Sequence, residues 1–256
     1  MAVILDRILD VLECCSEVSE GRSITEISTL IGLHKSTISR LANSLLERNY
    51  LVRDPATKRY KLGVKCVELS YHFLNNLDIR KEAHPIMIEL RAHVEFTVFL
   101  ALQQGHDVVY IDKADGSSGI QRASIIGYRA PMHATALGKA LMMQMGDEAL
   151  QAFFTGYHFK AFTLQTKTTL DAVITDLHES RLRGYAMDLE ENTQGVCCLA
   201  LPIYDYRGVI CASLSVSATK EQWKNRKERE VADWVAQAAM TISHKLGYIN
   251  SKEGEV

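Results

Sequence analysis

Between Ile24 and Tyr50 two short stretches of helical spacing meet at one glycine, and that pairing constrains this 256-residue chain more than any other feature. In ITEISTLI, Ile24, Ile27, Leu30 and Ile31 fall on one helical face, and Ser23 or Thr25 stands where a side-chain oxygen can cap a helix start. Gly32 ends the run. HKSTISRLANSLLERNY then places Ile38, Leu41, Ala42, Leu45 and Leu46 on one side of a second helix and Lys35, Ser36, Ser39, Arg40 and Asn43 on the other. Upstream, Ile4, Leu5, Ile8, Leu9 and Leu12 trace an apolar stripe along another helix and leave Asp6, Arg7, Asp10 and Glu13 outside it. Downstream, YLVRDPATKRYKLG reads as a strand, a turn at Asp54-Pro55 and a second strand, with Lys58 and Arg59 near the tip.

Two helices joined by a tight glycine turn, the second carrying polar and basic residues in its N-terminal half and followed by a β-wing, make a winged helix-turn-helix. The chemistry suits the major groove of a double-stranded DNA operator. Arg40 and Lys35 can donate to guanine and Asn43 can pair with adenine, while the hydroxyls of Thr25, Ser36, Thr37 and Ser39 suit phosphate oxygens. Lys58 and Arg59 are expected to lie along the DNA backbone. Charge is distributed accordingly. Residues 1–21 carry a net -4, and residues 22–65 carry nine Lys and Arg against three Asp and Glu, in a chain of net charge -2. A basic segment inside an acidic protein is the footprint of a polyanion-binding module, although a solvated basic face has the same composition.

The rest divides by pattern into a linking helix at 64–79, with Val64, Val67, Tyr71 and Leu74 down one side, and a domain over 80–256; the winged module is 1–63. The spacing predicts a helix at 80–93, strands near 96–103, 107–113 and 119–126, and helices near 136–145 and 168–183. Strands near 185–188, 196–203 and 208–216 follow, and one long helix from about 220 to 246 closes the chain. Helices flanking an antiparallel sheet make an α+β layer. In CASLSVSA, Ser213, Ser215 and Ser217 alternate with Ala212, Leu214 and Val216, so the three hydroxyls share one face, which is either solvent or a polar pocket. In PMHATALGKALMM, Thr135 can cap a helix and leave the N–H groups of Ala136, Leu137 and Gly138 for an anion such as a carboxylate.

The run ITEISTLIGLHKSTISRLANSLLERNYLVRDPATKRYKLG resembles the N-terminal domain of IclR-type bacterial regulators. The likeness continues through ALQQGHDVVYIDKAD, GYRAPMHATALGKALM and RGYAMDLEENTQGVCCLALPIYDYRGVICASLSVSATK. It implies a GAF-like effector-binding domain whose contacts fall on Asp188, Cys198, Ser215 and Ser217, facing the wall formed by Thr135, Ala136 and Leu137. The resulting expectation is a cytoplasmic transcriptional regulator, a repressor of a carbon-catabolic operon. Its operator binding would be controlled by a small carboxylic acid, with sugar acids or keto acids preferred. Arg122 and His133 are further candidates to face the cavity. Two-fold operators require a homodimer, and the resemblance suggests a homotetramer.

The competing reading is a thiol- or metal-dependent enzyme acting on a small acid, built on Cys198, Asp188 and the histidines. Spacing argues against it, since HExxH, GxSxG, CxxC and P-loop patterns are all missing. No cofactor is expected. Asp6, Arg7, Asp10 and Glu13 interrupt the apolar start, so neither a signal peptide nor a membrane span is expected there. The six cysteines lack a secreted disulfide framework and are expected as thiols.

Overall fold

The structure, a computed structural model, describes residues 2–75, 78–116 and 126–249. The chain falls into two compact units, residues 1–76 and 77–256. No helix among the described residues is long and apolar enough to cross a membrane.

The first unit runs α1 (Ala2–Ser16), α2 (Ile24–Ile31), α3 (Lys35–Glu47), β1 (Leu51–Arg53), β2 (Tyr60–Leu62) and α4 (Val64–Asn75). Ser23 caps α2. It accepts from the Glu26 N–H at 3.3 Å, while its own N–H donates to Glu26 Oε2 at 2.7 Å, a reciprocal pair that closes the helix start. Gly32 closes the other end at φ 73°, a left-handed conformation suited to glycine, and α3 begins three residues later. The wing is an antiparallel pair, Leu51 opposite Leu62 and Arg53 opposite Tyr60. Its turn is shaped by the Asp54 carboxylate, which accepts from the N–H groups of Ala56 and Thr57 at 2.9 and 2.8 Å.

Helix α1 differs from the sequence expectation in the face it buries. Val11, Cys14 and Cys15 enter the core with Ile27, Ile38, Leu41 and Leu45, and Ile8 and Leu12 pack at the margin. Ile4, Leu5 and Leu9 stay 47–60% exposed. The cysteines explain the rotation: as thiols they are small hydrophobes, and they extend the buried stripe that starts at Ile8. The expected stripe of the linking helix is likewise uncovered within this chain, where Val64, Val67 and Tyr71 are exposed.

The second unit runs α5 (Asp78–Val94), β3 (Thr97–Gln104), β4 (Asp107–Ala114), β5 (Arg129–Pro131), a 3-10 turn (Met132–Ala134), α6 (Ala136–Leu141), α7 (Asp147–Phe153), α8 (Leu170–Arg183), β6 (Ala186–Leu189), β7 (Val196–Tyr204), β8 (Ile210–Thr219), α9 (Lys220–Lys224) and α10 (Glu228–Lys245). The six strands among its described residues form one antiparallel sheet in the order β5-β4-β3-β8-β7-β6. Helices α5 and α10 pack on one face and α6 on the other. The α6 side is lined by Phe99, Ala101, Ala186 and Ala200, and small residues there let a helix approach closely.

The expected closing helix is two helices. Asn225, a weak helix former, caps α9 with its N–H shared between Gln222 O and Trp223 O, and Arg226 donates to Glu95 at 2.6 Å. The helix expected at 136–145 ends at Leu141, where the Met142 N–H is shared among three carbonyls, and α7 and β5 are elements that periodicity did not reveal. The strand expected near 119–126 lies, up to its final residue, outside the described residues; Ile126 itself sits in a turn.

Gly138 seats α6. A Cβ there would lie 2.2 Å from Met132 Cα and 2.4 Å from Met132 O, in the backbone of the preceding 3-10 turn. Gly138→Ala is therefore expected to cost about 3 kcal/mol, at the upper end of overpacking. Gly146→Ala, where an added Cβ meets nothing within 4 Å, should change stability by less than about 0.5 kcal/mol. Denaturant unfolding of the two variants checks this, and equal midpoints would show that α6 is not held by that contact.

Candidate functional site

The α6-facing side of the sheet carries a polar row. Asp188 on β6 stands opposite Cys198 on β7, Cys198 opposite Ser217 on β8, and Ser217 opposite Thr97 on β3. The neighbouring row holds Ala200, Ser215 and Phe99. Ser213, Ser215 and Ser217 are all buried, which answers the question the alternation left open: this face is covered, and solvent is on neither side of it. Ser217 Oγ donates to Cys198 Sγ at 3.0 Å.

Above these rows lies a cavity of about 220 Å³. Its floor is Ser215, Ser217 and Cys198, one side is Thr135, Ala136 and Leu137, and the opposite side is Asp188 with Asn192 and Thr193. Phe99, Tyr110 and Tyr128 form an aromatic end, with Tyr110 edge-on to Phe99 at 5.3 Å and Tyr128 5.9 Å beyond. All seven residues expected around an effector thus line one space. Sequence reasoning missed the aromatic end and the Asn192-Thr193 turn. Phe99 is traceable only through the register that sets it across from Ser215, while Asn192 and Thr193 stood in plain view inside DLEENTQG.

Thr135 caps α6 as expected, but its hydroxyl is fully engaged. It donates to Pro131 O at 3.0 Å and accepts from the Gly138 N–H at 3.1 Å. Gly138 is therefore not available to an anion, because the cap itself consumes its donor. The N–H groups of Ala136 and Leu137 have no acceptor among the described residues.

Asp188 is 3% exposed, and its Oδ1 accepts from the N–H groups of Glu191 and Asn192 at 2.7 and 3.4 Å. Burial, reinforced by the nearby Glu191 carboxylate, pushes its carboxyl up to about 7 despite those bonds and the Lys139 ammonium. Below that pH it can donate a hydrogen bond; above it, it only accepts. His133, expected as a possible cavity residue, is instead fully buried between Tyr157 OH at 3.0 Å and Lys160 O at 3.1 Å, and burial lowers its basicity. It sits two residues before the Thr135 cap, in the 3-10 turn. Arg122 lies outside the described residues.

In the first unit, Thr25, Lys35, Ser36, Arg40, Asn43 and Lys58 are exposed, and Thr37 and Ser39 are half-buried. His34 gives α3 no side-chain cap, so the N–H groups of Lys35 and Ser36 have no acceptor among the described residues. Arg59 is a correction. Its guanidinium turns inward, donating to Gly21 O at 2.9 Å and to Glu26 Oε1 at 2.7 Å, because the reciprocal cap of α2 leaves a carboxylate there to be paired. The Ser23 bonds and Arg59 together hold the Glu26 carboxyl down at about 2. Lys58, at φ 61° in the turn, and the exposed Arg53 remain as outward cations of the wing.

Comparison with known proteins agrees with this architecture. Residues 4–55 match the IclR helix-turn-helix domain, and residues 71–244 match the bacterial transcriptional regulator IclR C-terminal domain. The chain is 34% identical over 244 residues to the HTH-type transcriptional regulator XynR of Escherichia coli K12, covering 95% of this chain and 97% of that one. It is 30% identical over 242 residues to KdgR of the same organism, covering 94% and 92%. The crystal structure of the Thermotoga maritima IclR protein superposes with a TM-score of 0.78 at 29% identity, over 97% of this chain and 100% of that one. These relatives are regulators of transcription and not enzymes, and the chain belongs with them to the IclR family of DNA-binding transcriptional regulators.

Proposed function

We propose that this regulator represses a carbon-catabolic operon and that a small carboxylic acid, a sugar acid or keto acid, controls its hold on the operator. The observation that carries the reading is the cavity, which gathers two unpaired N–H groups on one side, an acid on the other and serine hydroxyls beneath. A carboxylate meets the N–H groups of Ala136 and Leu137, and ligand hydroxyls reach Asp188, Ser215 and Ser217. Cys198 packs against the carbon skeleton. Among the described lining residues Asp188 is the one charged group. A ligand with both a carboxylate and several hydroxyls matches this division better than a bare anion, and the aromatic end gives its carbon face apolar contact.

On the DNA side, Lys35 and Arg40 reach the operator from α3 with Asn43, while Thr25, Ser36, Thr37, Ser39 and the α3 N–H groups meet phosphate, and Lys58 supports from the wing. One such helix reads only a few base pairs, so the acting species is a dimer, or a pair of dimers, on a pseudo-palindrome. The exposed apolar residues of α1 and α4, Ile4, Leu5, Leu9, Val67 and Tyr71, are the surfaces for that pairing. The protein would work in the cytoplasm, where its operator is.

Fluorescence anisotropy on the chain's own upstream region tests the DNA assignment. Losing a phosphate contact at Lys58 should shallow the salt slope by roughly one unit, and losing a base contact at Lys35 or Arg40 should cost about 1–3 kcal/mol at one operator position. Arg59→Ala should lower thermal stability and leave the slope as it was. Unchanged affinity and slope in Lys35→Ala with Arg40→Ala would remove α3 as the recognition helix.

Calorimetry with D-gluconate, 2-keto-D-gluconate, pyruvate and an aromatic acid tests the pocket. At pH 8, where Asp188 is ionised, Asp188→Ala should weaken the best ligand by about 1.5–3 kcal/mol, with Ser215→Ala and Ser217→Ala weakening it by less. Full affinity in all three variants would put the acid elsewhere.

A further inference from the structure

Lys139 is the fourth residue of α6, and none of its surface is exposed. A lysine wholly out of water is tolerated only where charge and hydrogen bonds meet it. Its Nζ donates to Met187 O at 2.9 Å and to Glu191 Oε1 at 2.6 Å, and it pairs with Asp176 on α8. Two of these partners belong to β6 and the turn after it. Glu191 then presents its N–H to Asp188 Oδ1 at 2.7 Å. An unbroken path therefore runs from the start of α6, through the Lys139 side chain and Glu191, to Asp188.

The turn it grips is one that needs gripping. Glu190 holds φ 64°, a left-handed conformation that a glutamate reaches only at a cost. Thr163 Oγ1 donates to Glu190 O and Thr166 Oγ1 to Glu191 O, each at 2.6 Å, and Lys220 pairs with the Glu190 carboxylate. These contacts hold the turn from outside. Lys139 alone among these turn-holding groups reaches it from the helix that forms the opposite wall of the cavity.

We propose that Lys139 is a positioning residue of the pocket, fixing the Asp188 turn against the start of α6 so that the two walls stand at a set separation. The inference rests on the effector reading for what the pocket holds, but the positioning itself is observable at Asp188 without ligand. The charged and titratable groups around Asp188 are Glu191 on its own turn, Lys139 from α6, Asp176 from α8 and Lys167 from the loop before it, both through Glu191 and Lys139, and the Cys197 and Cys198 thiols of the neighbouring strand.

The test is a carbon-13 carboxyl NMR titration of Asp188 in the full ligand-free chain, assigned by the signal lost in Asp188→Asn. Amide exchange of Glu191 and Asn192 is followed in the same samples. From a wild-type midpoint near the value of about 7, Glu191→Gln should move the midpoint down, since it removes a neighbouring negative charge. Lys139→Met should move it up and speed exchange of both amides. Calorimetry with D-gluconate should show Lys139→Met weaker by roughly tenfold, the usual scale for losing an outer partner of a binding group. Folded variants with unchanged midpoints and exchange overturn the proposal. If Lys139→Met does not fold, Glu191→Gln decides, and an unmoved midpoint there overturns it as well. Should no acid bind the wild type while the midpoints move as stated, the effector reading fails and the positioning role stands. Should acids bind through Asp188 while Lys139→Met keeps full affinity, midpoint and exchange, the positioning role fails alone.

Discussion

A fully buried ammonium governs the sensor unit. Removing Lys139 from water carries an effective penalty of several kcal/mol, and an unpaired charge at that depth is not sustainable. The fold answers with two carboxylates and a carbonyl drawn from three places: α8, strand β6 and the turn after it. Once those groups converge, the spacing between α6 and the edge of the sheet is no longer adjustable. Gly138 enforces the same spacing from the other side, because its missing side chain is what lets α6 lie against the Met132 turn. The cavity is the space these two constraints leave over a sheet face that carries Ser215, Ser217, Cys198 and Phe99.

Chemistry follows from that geometry. The Thr135 cap consumes the Gly138 donor and leaves Ala136 and Leu137, while the turn after β6 directs two N–H groups at one oxygen of Asp188, itself a lining residue of the cavity. Burial raises the Asp188 carboxyl to about 7, so near neutrality the pocket can present either a donor or an acceptor on that side. A ligand that stabilised one arrangement of these walls over another would have the differential affinity any control of DNA binding requires. In the winged unit, α3 carries Lys35 and Arg40 and its first N–H groups have no acceptor among the described residues.

Much of this was legible in the residues, and what was not has physical reasons. The α2-Gly32-α3 pattern announced itself because helix period, cap and glycine agreed within twenty-odd residues. The period-two serines of β8 were equally plain, yet which side they faced depended on α6, an element far earlier in the chain that covers them. Register decides that kind of question, and register is a property of paired strands rather than of one. Arg59 misled for a similar reason: its position at the wing tip suits DNA, but the Glu26 carboxylate left by the α2 cap lies within reach and claims it. In helix α1 the expected stripe included the large side chains Ile4, Leu5 and Leu9, whereas Val11 and the thiols Cys14 and Cys15 were what fitted against α2 and α3.

The claim on which the rest turns is that occupancy of the Asp188 cavity alters operator affinity. Operator titrations of the full chain with and without a saturating acid, run side by side on wild type and Asp188→Ala, measure it directly. The account predicts a shift in operator affinity for the wild type, and for Asp188→Ala an unchanged ligand-free affinity with the shift lost at the same acid concentration. An equal shift in both proteins would contradict it, since the acid would then be acting from somewhere other than this pocket.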